Sequence, residues 1–191
     1  MSKNAHAVLP PPQPSVGHLD ELLHSLGADV DAETPRRMLE ALRELTSGYA
    51  VTDFAKLLKT FPAPNDPGVV MVRDISFASL CEHHVLPFSG TINVAYIPRA
   101  RIVGLSKIPR LVRAVTRRLQ VQERIGQQIA DALDTHLSPF GVMVVTRARH
   151  TCMALRGVES PGEMVTSCVR GDFATNASAR AEALALLGNA R

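Results

Sequence analysis

Val69-Val70-Met71-Val72-Arg73-Asp74-Ile75-Ser76-Phe77 and, after an interruption, Thr91-Ile92-Asn93-Val94-Ala95-Tyr96-Ile97 are two runs of strand composition, rich in β-branched and aromatic residues. Cys81-Glu82-His83-His84 lies on the connection between them. Downstream, Ile108, Leu111, Val112 and Val115 mark one helix, and Ile125, Ile129, Leu133 and Leu137 mark a second at intervals of four. Val142 to Ala148 and Met164 to Val169 read as two more strands, followed by Gly171, a turn and a last helix through Leu184 and Leu187. Two strands, two helices, two strands and a helix predict an α+β domain, its central helices packed on one face of an antiparallel sheet.

Working back from that stretch, Pro62 to Gly68 is a break, and a short helix is expected around Phe54 to Leu58. Thr34-Pro35 opens another, with threonine as cap and proline at the first helical position, and with Met38, Leu39, Leu42 and Leu45 on its apolar side. Leu19, Leu22, Leu23 and Leu26 form a shorter stripe ended by Gly27. Residues 1–16, with Pro10, Pro11, Pro12 and Pro14, read as a flexible, polyproline-like arm, which leaves 17–191 for the folded domain.

At 191 residues, 46% hydrophobic and 20% charged, the chain suits one domain with a substantial core. Three cysteines argue against a disulfide framework and for a reducing compartment. No apolar signal region opens the chain and no stretch reaches transmembrane length, so a cytoplasmic protein with no membrane partner is expected. A formal charge of +3, 4% aromatic residues and no tryptophan give no ground for a nucleic-acid partner.

The chemistry concentrates at Cys81-Glu82-His83-His84 and His150-Thr151-Cys152. Cys81 and His84, three residues apart, can meet one ion from a single turn. If the second segment is extended, His150 and Cys152 point the same way. Together the segments can give zinc Cys, His and Cys and leave the fourth tetrahedral position for water, with His83 and His150 beside it. Spacing alone leaves two alternatives open: a closed structural zinc site, and a turn whose cysteine is merely a small buried hydrophobe. The only other cysteine is Cys168, and neither a second C-x-x-C nor the H-x-E with P-C-x-x-C signature of zinc deaminases occurs.

Gly104-Leu105-Ser106-Lys107 leads into the first central helix, with Ser106 a good N-cap. Lys107 and Arg110 then sit in a turn where the helix dipole disfavours positive charge, a placement that suits a phosphate group; the alternative is a solvated basic face continuing through Arg113 and Arg117. Arg156 offers a third cation from the metal side. Glu123, in the first turn of the second central helix, suits the dipole and could equally accept two hydrogen bonds from the N1–H and 2-amino group of guanine. Glu82 reads as a neighbour of the ligands or a surface group, and Cys168 as packing.

These residues resemble one family closely, GTP cyclohydrolase I. The motifs are Thr34-Pro35-x-Arg37, Ser79-Leu80-Cys81-Glu82-His83-His84, Val94-Ala95-Tyr96-Ile97-Pro98, Gly104-Leu105-Ser106-Lys107, Gln120-Val121-Gln122-Glu123-Arg124, His150-x-Cys152-Met153 and Arg156-Gly157-Val158. The resemblance spans roughly residue 18 to the end. It implies the tunnelling fold, a four-stranded antiparallel sheet with two helices on one face, assembled as a toroidal homodecamer with active sites between subunits. It implies zinc held by Cys81, His84 and Cys152, with His83, His150, Ser106 and Gln122 catalytic. Glu123 would hold guanine, and Lys107, Arg110 and Arg156 the triphosphate. The implied reaction is hydrolysis of GTP at C8 with His150 protonating N7, loss of formate, Amadori rearrangement and closure to 7,8-dihydroneopterin triphosphate, which opens pterin and folate biosynthesis. Two rivals of other classes are a tunnelling-fold nitrile reductase, which uses a nucleophilic cysteine and NADPH without zinc, and a non-catalytic zinc-stabilised scaffold.

Overall fold

A computed structural model describes residues 15–188, which fall into two compact units dividing between Glu44 and Leu45. Of the arm expected over 1–16, residues 1–14 lie outside the described residues. Ser15 caps a helix that Val16 opens: Ser15 Oγ accepts the His18 N–H and α1 runs Val16–Ser25. Gly27, at φ +74°, follows its end as expected. The first unit continues into α2 (Thr34–Leu45), which opens at the expected Thr34-Pro35. Arg36 on its exposed side bridges Glu33 and Glu40, one turn to either side.

The second unit begins with two 3-10 turns, Ser47–Ala50 and Phe54–Leu57. The latter stands where a short helix was expected, with the Asp53 carboxylate accepting the Ala55 N–H. Then follow β1 (Thr60–Pro62), β2 (Val70–Cys81), β3 (Pro87–Ile97), β4 (Arg101–Val103), α3 (Lys107–Thr116), β5 (Leu119–Gln120), α4 (Gln122–Leu137), β6 (Gly141–His150), α5 (Thr151–Ala154), β7 (Glu163–Gly171), α6 (Asp172–Thr175) and α7 (Ala177–Gly188). The α+β class and the antiparallel sheet are as expected. The four long strands run β2-β3-β6-β7, each antiparallel to its neighbour.

Three details differ from the sequence reading. The sheet has a fifth member, because β5 lies parallel to the end of β2 and pairs Cys81 with Gln120. A separate two-stranded sheet joins β1 to β4. Helices also cover the second face: α3 and α4 bury Leu111, Val115, Ile129 and Leu133 against Ile92, Val94, Val142 and Val144, while Phe173 and Ala183 of α6 and α7 pack with Ala95, Met143 and Val145. The run Val142-Met143-Val144-Val145 is apolar at both parities because β6 is covered on both sides.

Two contacts set the positions of the functional segments. Tyr96 is buried, and its hydroxyl accepts the Val103 N–H at 3.1 Å, fixing the strand that delivers Gly104 to Lys107. Burial raises the Tyr96 phenol above its ordinary value, so it stays neutral. Gly90 faces Arg147 and Ala148 across the β3–β6 ladder, where a Cβ would stand 1.8 Å from the Arg147 carbonyl oxygen. Gly90→Ala is expected to force these central strands apart, lowering the melting midpoint by several degrees, about what a loss of 2 kcal/mol gives in a domain of this size. Thermal denaturation followed by circular dichroism measures it.

Candidate active site

β2 delivers Cys81 at its last position, buried, and the chain reverses through Glu82, His83 and His84. The turn is closed by Cys81 N–H to Leu86 O at 2.8 Å and Val85 N–H to Cys81 O at 2.8 Å. Val85 takes φ +56°, unusual for a β-branched residue, to complete the reversal. The motif is thus a tight turn between two long, paired strands, which gives its side chains a rigid base.

The second segment behaves differently from the extended reading. β6 ends at His150, and Thr151–Ala154 form one helical turn, so Cys152 reaches the site from that turn and period-two alternation does not apply. The turn starts where the chain leaves the sheet, anchored by the Thr151 hydroxyl donating to Pro87 O at 2.5 Å. The donors still converge: Cys81 Sγ, a His84 ring nitrogen and Cys152 Sγ lie within 4.8 Å of one another, with Cys81 Sγ 3.8 Å from His84 Nδ1. His83 Nδ1 is also 3.8 Å from Cys81 Sγ, but His83 is outside the convergent trio.

Donors around tetrahedral zinc, at about 2.3 Å for sulfur and 2.0–2.1 Å for nitrogen, stand roughly 3.3–3.8 Å apart, so small side-chain adjustments would seat an ion here. The charge balance points the same way. Burial first, then the neighbouring Cys81 sulfur, raises the Cys152 thiol above its ordinary value. A cation beside Cys152 would oppose that rise and favour its thiolate. Among the described residues the group has three protein donors, the number that leaves a coordination position for a reactant.

His150 is held from two directions. Its ring stacks on the buried Phe88, with centroids 4.4 Å apart and planes 9° from parallel, and β3–β6 pairing sets these residues opposite each other. Its Nε2 lies 2.9 Å from Gln122 Oε1. Gln122 is almost wholly buried, and its Nε2 faces Thr146 O, Met164 O and Thr166 Oγ1 at 3.0–3.3 Å. The amide nitrogen must face those carbonyls, so Oε1 accepts from His150 and the Nε2 proton is assigned. His150 Nδ1 is left as the atom that can gain or release a proton. Burial lowers its pKa from the ordinary histidine value, and the Glu123 carboxylate opposes that.

The remaining expected residues come from α3, α4 and the segment after α5. Glu123, in the first turn of α4, lines a groove of about 520 Å³ with Gln127 and residues 166–170 of β7. Arg156 donates to Cys152 O at 2.8 Å, one turn on from Cys152. Ser106, Lys107 and Arg110 stand together at the start of α3, but among the described residues no hydrogen bond or ion pair joins them to the Cys–His–Cys group. Ser106 is itself in the helical conformation and makes no side-chain capping bond, contrary to the N-cap expectation. Cys168 is half-buried on β7 and accepts from Arg170 Nη1 at 3.0 Å, outside the donor trio. Sequence reasoning missed Phe88, whose signal would have been the β3–β6 register, and Thr151, which only the three-dimensional turn reveals.

The sequence profile of the family described as GTP cyclohydrolase I matches residues 16–188. A protein of Chlorobaculum tepidum described as GTP cyclohydrolase 1 is 49% identical over 173 residues, covering 88% of this chain and 77% of that one. Proteins of the same description from Bacillus pumilus and Leptospira biflexa are 46% and 47% identical over 175 residues, covering 88% of this chain and 92% and 95% of theirs.

Proposed function

The chain belongs to the GTP cyclohydrolase I family, and on that premise we propose that it holds zinc through Cys81, His84 and Cys152 and converts GTP to 7,8-dihydroneopterin triphosphate with release of formate. The observation that carries the proposal is the convergence of those three donors beside an imidazole fixed by Gln122 and Phe88. Zinc bound there would supply Lewis-acid activation of water for attack at C8 of the purine. The protein's own groups supply the rest. His150, its Nε2 proton committed to Gln122, delivers a proton from Nδ1 to N7 as water adds to C8, before the imidazole ring opens. His83, on the exposed turn beside Cys81, serves the later proton transfers at the sugar. Ser106 is placed beside the ribose, while Gln122 acts chiefly by orienting His150.

Glu123 accepts the guanine N1–H and 2-amino group in the groove along β7, which has the size of a small-ligand site. Lys107, Arg110 and Arg156 bind the triphosphate, the first two at the N-terminus of α3. Lys107 and Arg110 come from a different element than the Cys–His–Cys group and, among the described residues, share no hydrogen bond or ion pair with it, which fits active sites completed between subunits of a homo-oligomer, with the toroidal decamer as the proposed assembly. Two sheet edges suit it: among the described residues β7 pairs only with β6, and β2 has no partner opposite β3 before Leu80. Among the described residues no helix is long and apolar enough to cross a membrane, and we place the reaction in the cytoplasm.

The test is anaerobic incubation of zinc-loaded protein with GTP, following formate and the fluorescence of the oxidised pterin together. Both signals are expected. Formate without pterin would limit the reaction to hydrolysis, and neither signal from zinc-replete protein would reject the proposal.

A further inference from the structure

Gln120-Val121-Gln122-Glu123-Arg124 places Gln122 and Glu123 toward the reaction, and it carries two further polar side chains, Gln120 and Arg124, that the proposed reaction does not use. Gln120 is buried at 2% exposure, and its side-chain amide makes three hydrogen bonds. Its Nε2 donates to Val115 O at 2.9 Å and to Gln128 Oε1 at 2.8 Å, and its Oε1 accepts from Arg124 Nε at 3.1 Å. Arg124 Nη2 pairs with the Glu82 carboxylate. Glu82 N–H in turn donates to Gln120 O at 3.0 Å, beside the Cys81–Gln120 bridge of the parallel β2–β5 pair. Glu82 is therefore tied to the start of α4 by main chain and side chain alike, and it is the residue between Cys81 and His83 in the metal turn.

We propose that Gln120, Arg124 and Glu82 are positioning residues, a brace that fixes the turn bearing Cys81 and His84 against the first turn of α4, so that the metal donors and the Gln122–His150 pair keep one mutual geometry. The inference rests on the metal-ligand reading of Cys81, His84 and Cys152. The ion pair itself adds little stability, since both side chains are more than a third exposed to solvent or close to it. Its effect is orientational. The planar guanidinium engages Gln120 through Nε and Glu82 through Nη2 at once, which a lysine ammonium cannot reproduce in the same geometry. Groups that orient the residues of a metal site are worth about 10–100-fold in metal affinity.

The experiment measures zinc affinity of the assembled protein by competition with a chromogenic chelator, for wild type, Arg124→Met, Glu82→Gln and the double variant, alongside KM for GTP and circular dichroism. Arg124→Met and Glu82→Gln are each expected to weaken zinc binding about tenfold or more, with KM for GTP within about twofold of wild type. The double variant is expected to match the weaker single one, because both remove the same contact. Zinc affinities within about twofold of wild type for both single variants would overturn the brace. So would a raised KM at unchanged zinc affinity for Arg124→Met, which would make Arg124 a substrate contact. Should Arg124→Met fail to fold, Glu82→Gln, near-isosteric and on an exposed turn, decides the question. A wild-type protein that binds no zinc would instead overturn the ligand assignment, a result distinct from normal wild-type binding with unaffected variants.

Discussion

Cys152→Ala is expected to emerge from purification with little zinc and no cyclohydrolase activity while keeping its fold. The variant leaves Cys81 and His84, both from one turn, as the only donors of the trio, and a two-donor chelate competes poorly with water. Groups that merely orient ligands are worth about 10–100-fold in metal affinity, so removing a ligand should exceed roughly 10³-fold. The fold should persist because Cys152 sits on a short turn that Thr151 anchors to Pro87 and that Arg156 caps at Cys152 O, bonds that do not use the sulfur. Metal content per chain and far-ultraviolet circular dichroism measure the two halves of this expectation. Cys168→Ala serves as the control: that thiol lies on β7 against Arg170, and its removal should leave zinc content unchanged. Stoichiometric zinc in Cys152→Ala would remove Cys152 from the ligand set.

Much of this site was legible because its chemistry is written in short segments. Cys81 and His84 stand three residues apart, which marks them as candidate donors from one turn, and Ile125, Ile129, Leu133 and Leu137 repeat at helical spacing, which marks α4. The reading failed where tertiary contacts decide. Nothing in His150-Thr151-Cys152 distinguishes a continued strand from a helical turn, and the outcome depends on Thr151 meeting Pro87, a contact 64 positions apart in sequence. Ser106 had the right side chain for a cap, but its backbone adopts helical angles and the hydroxyl makes no capping bond. β5 is two residues long, too short for any periodicity, and its place beside β2 follows from the Cys81–Gln120 bridge. The cover over the second sheet face was signalled by the two-sided apolar run of β6 but not read from it.

His150→Ala is expected to separate metal binding from chemistry, retaining stoichiometric zinc while formate release falls by about 10²–10⁴, the usual contribution of a positioned acid–base group. Zinc should remain because none of the three donors belongs to His150, and the strand pairing that carries it is main-chain bonding that alanine preserves. The variant does remove a ring stacked on Phe88 and leaves Gln122 Oε1 without its partner in a largely buried setting, so some loss of stability, about 1–3 kcal/mol, should accompany it. That loss could be mistaken for the cause of inactivity, and His150→Gln distinguishes the two. A glutamine amide can donate to Gln122 and occupy part of the space against Phe88, yet it cannot act as a proton donor near neutral pH. If His150 is the acid, the glutamine variant regains stability and stays inactive. Recovery of formate release to within about tenfold of wild type in His150→Gln would show that the residue only fills space and would move the acid role elsewhere. His83 would be the first alternative to examine, since its Nδ1 also lies 3.8 Å from Cys81 Sγ.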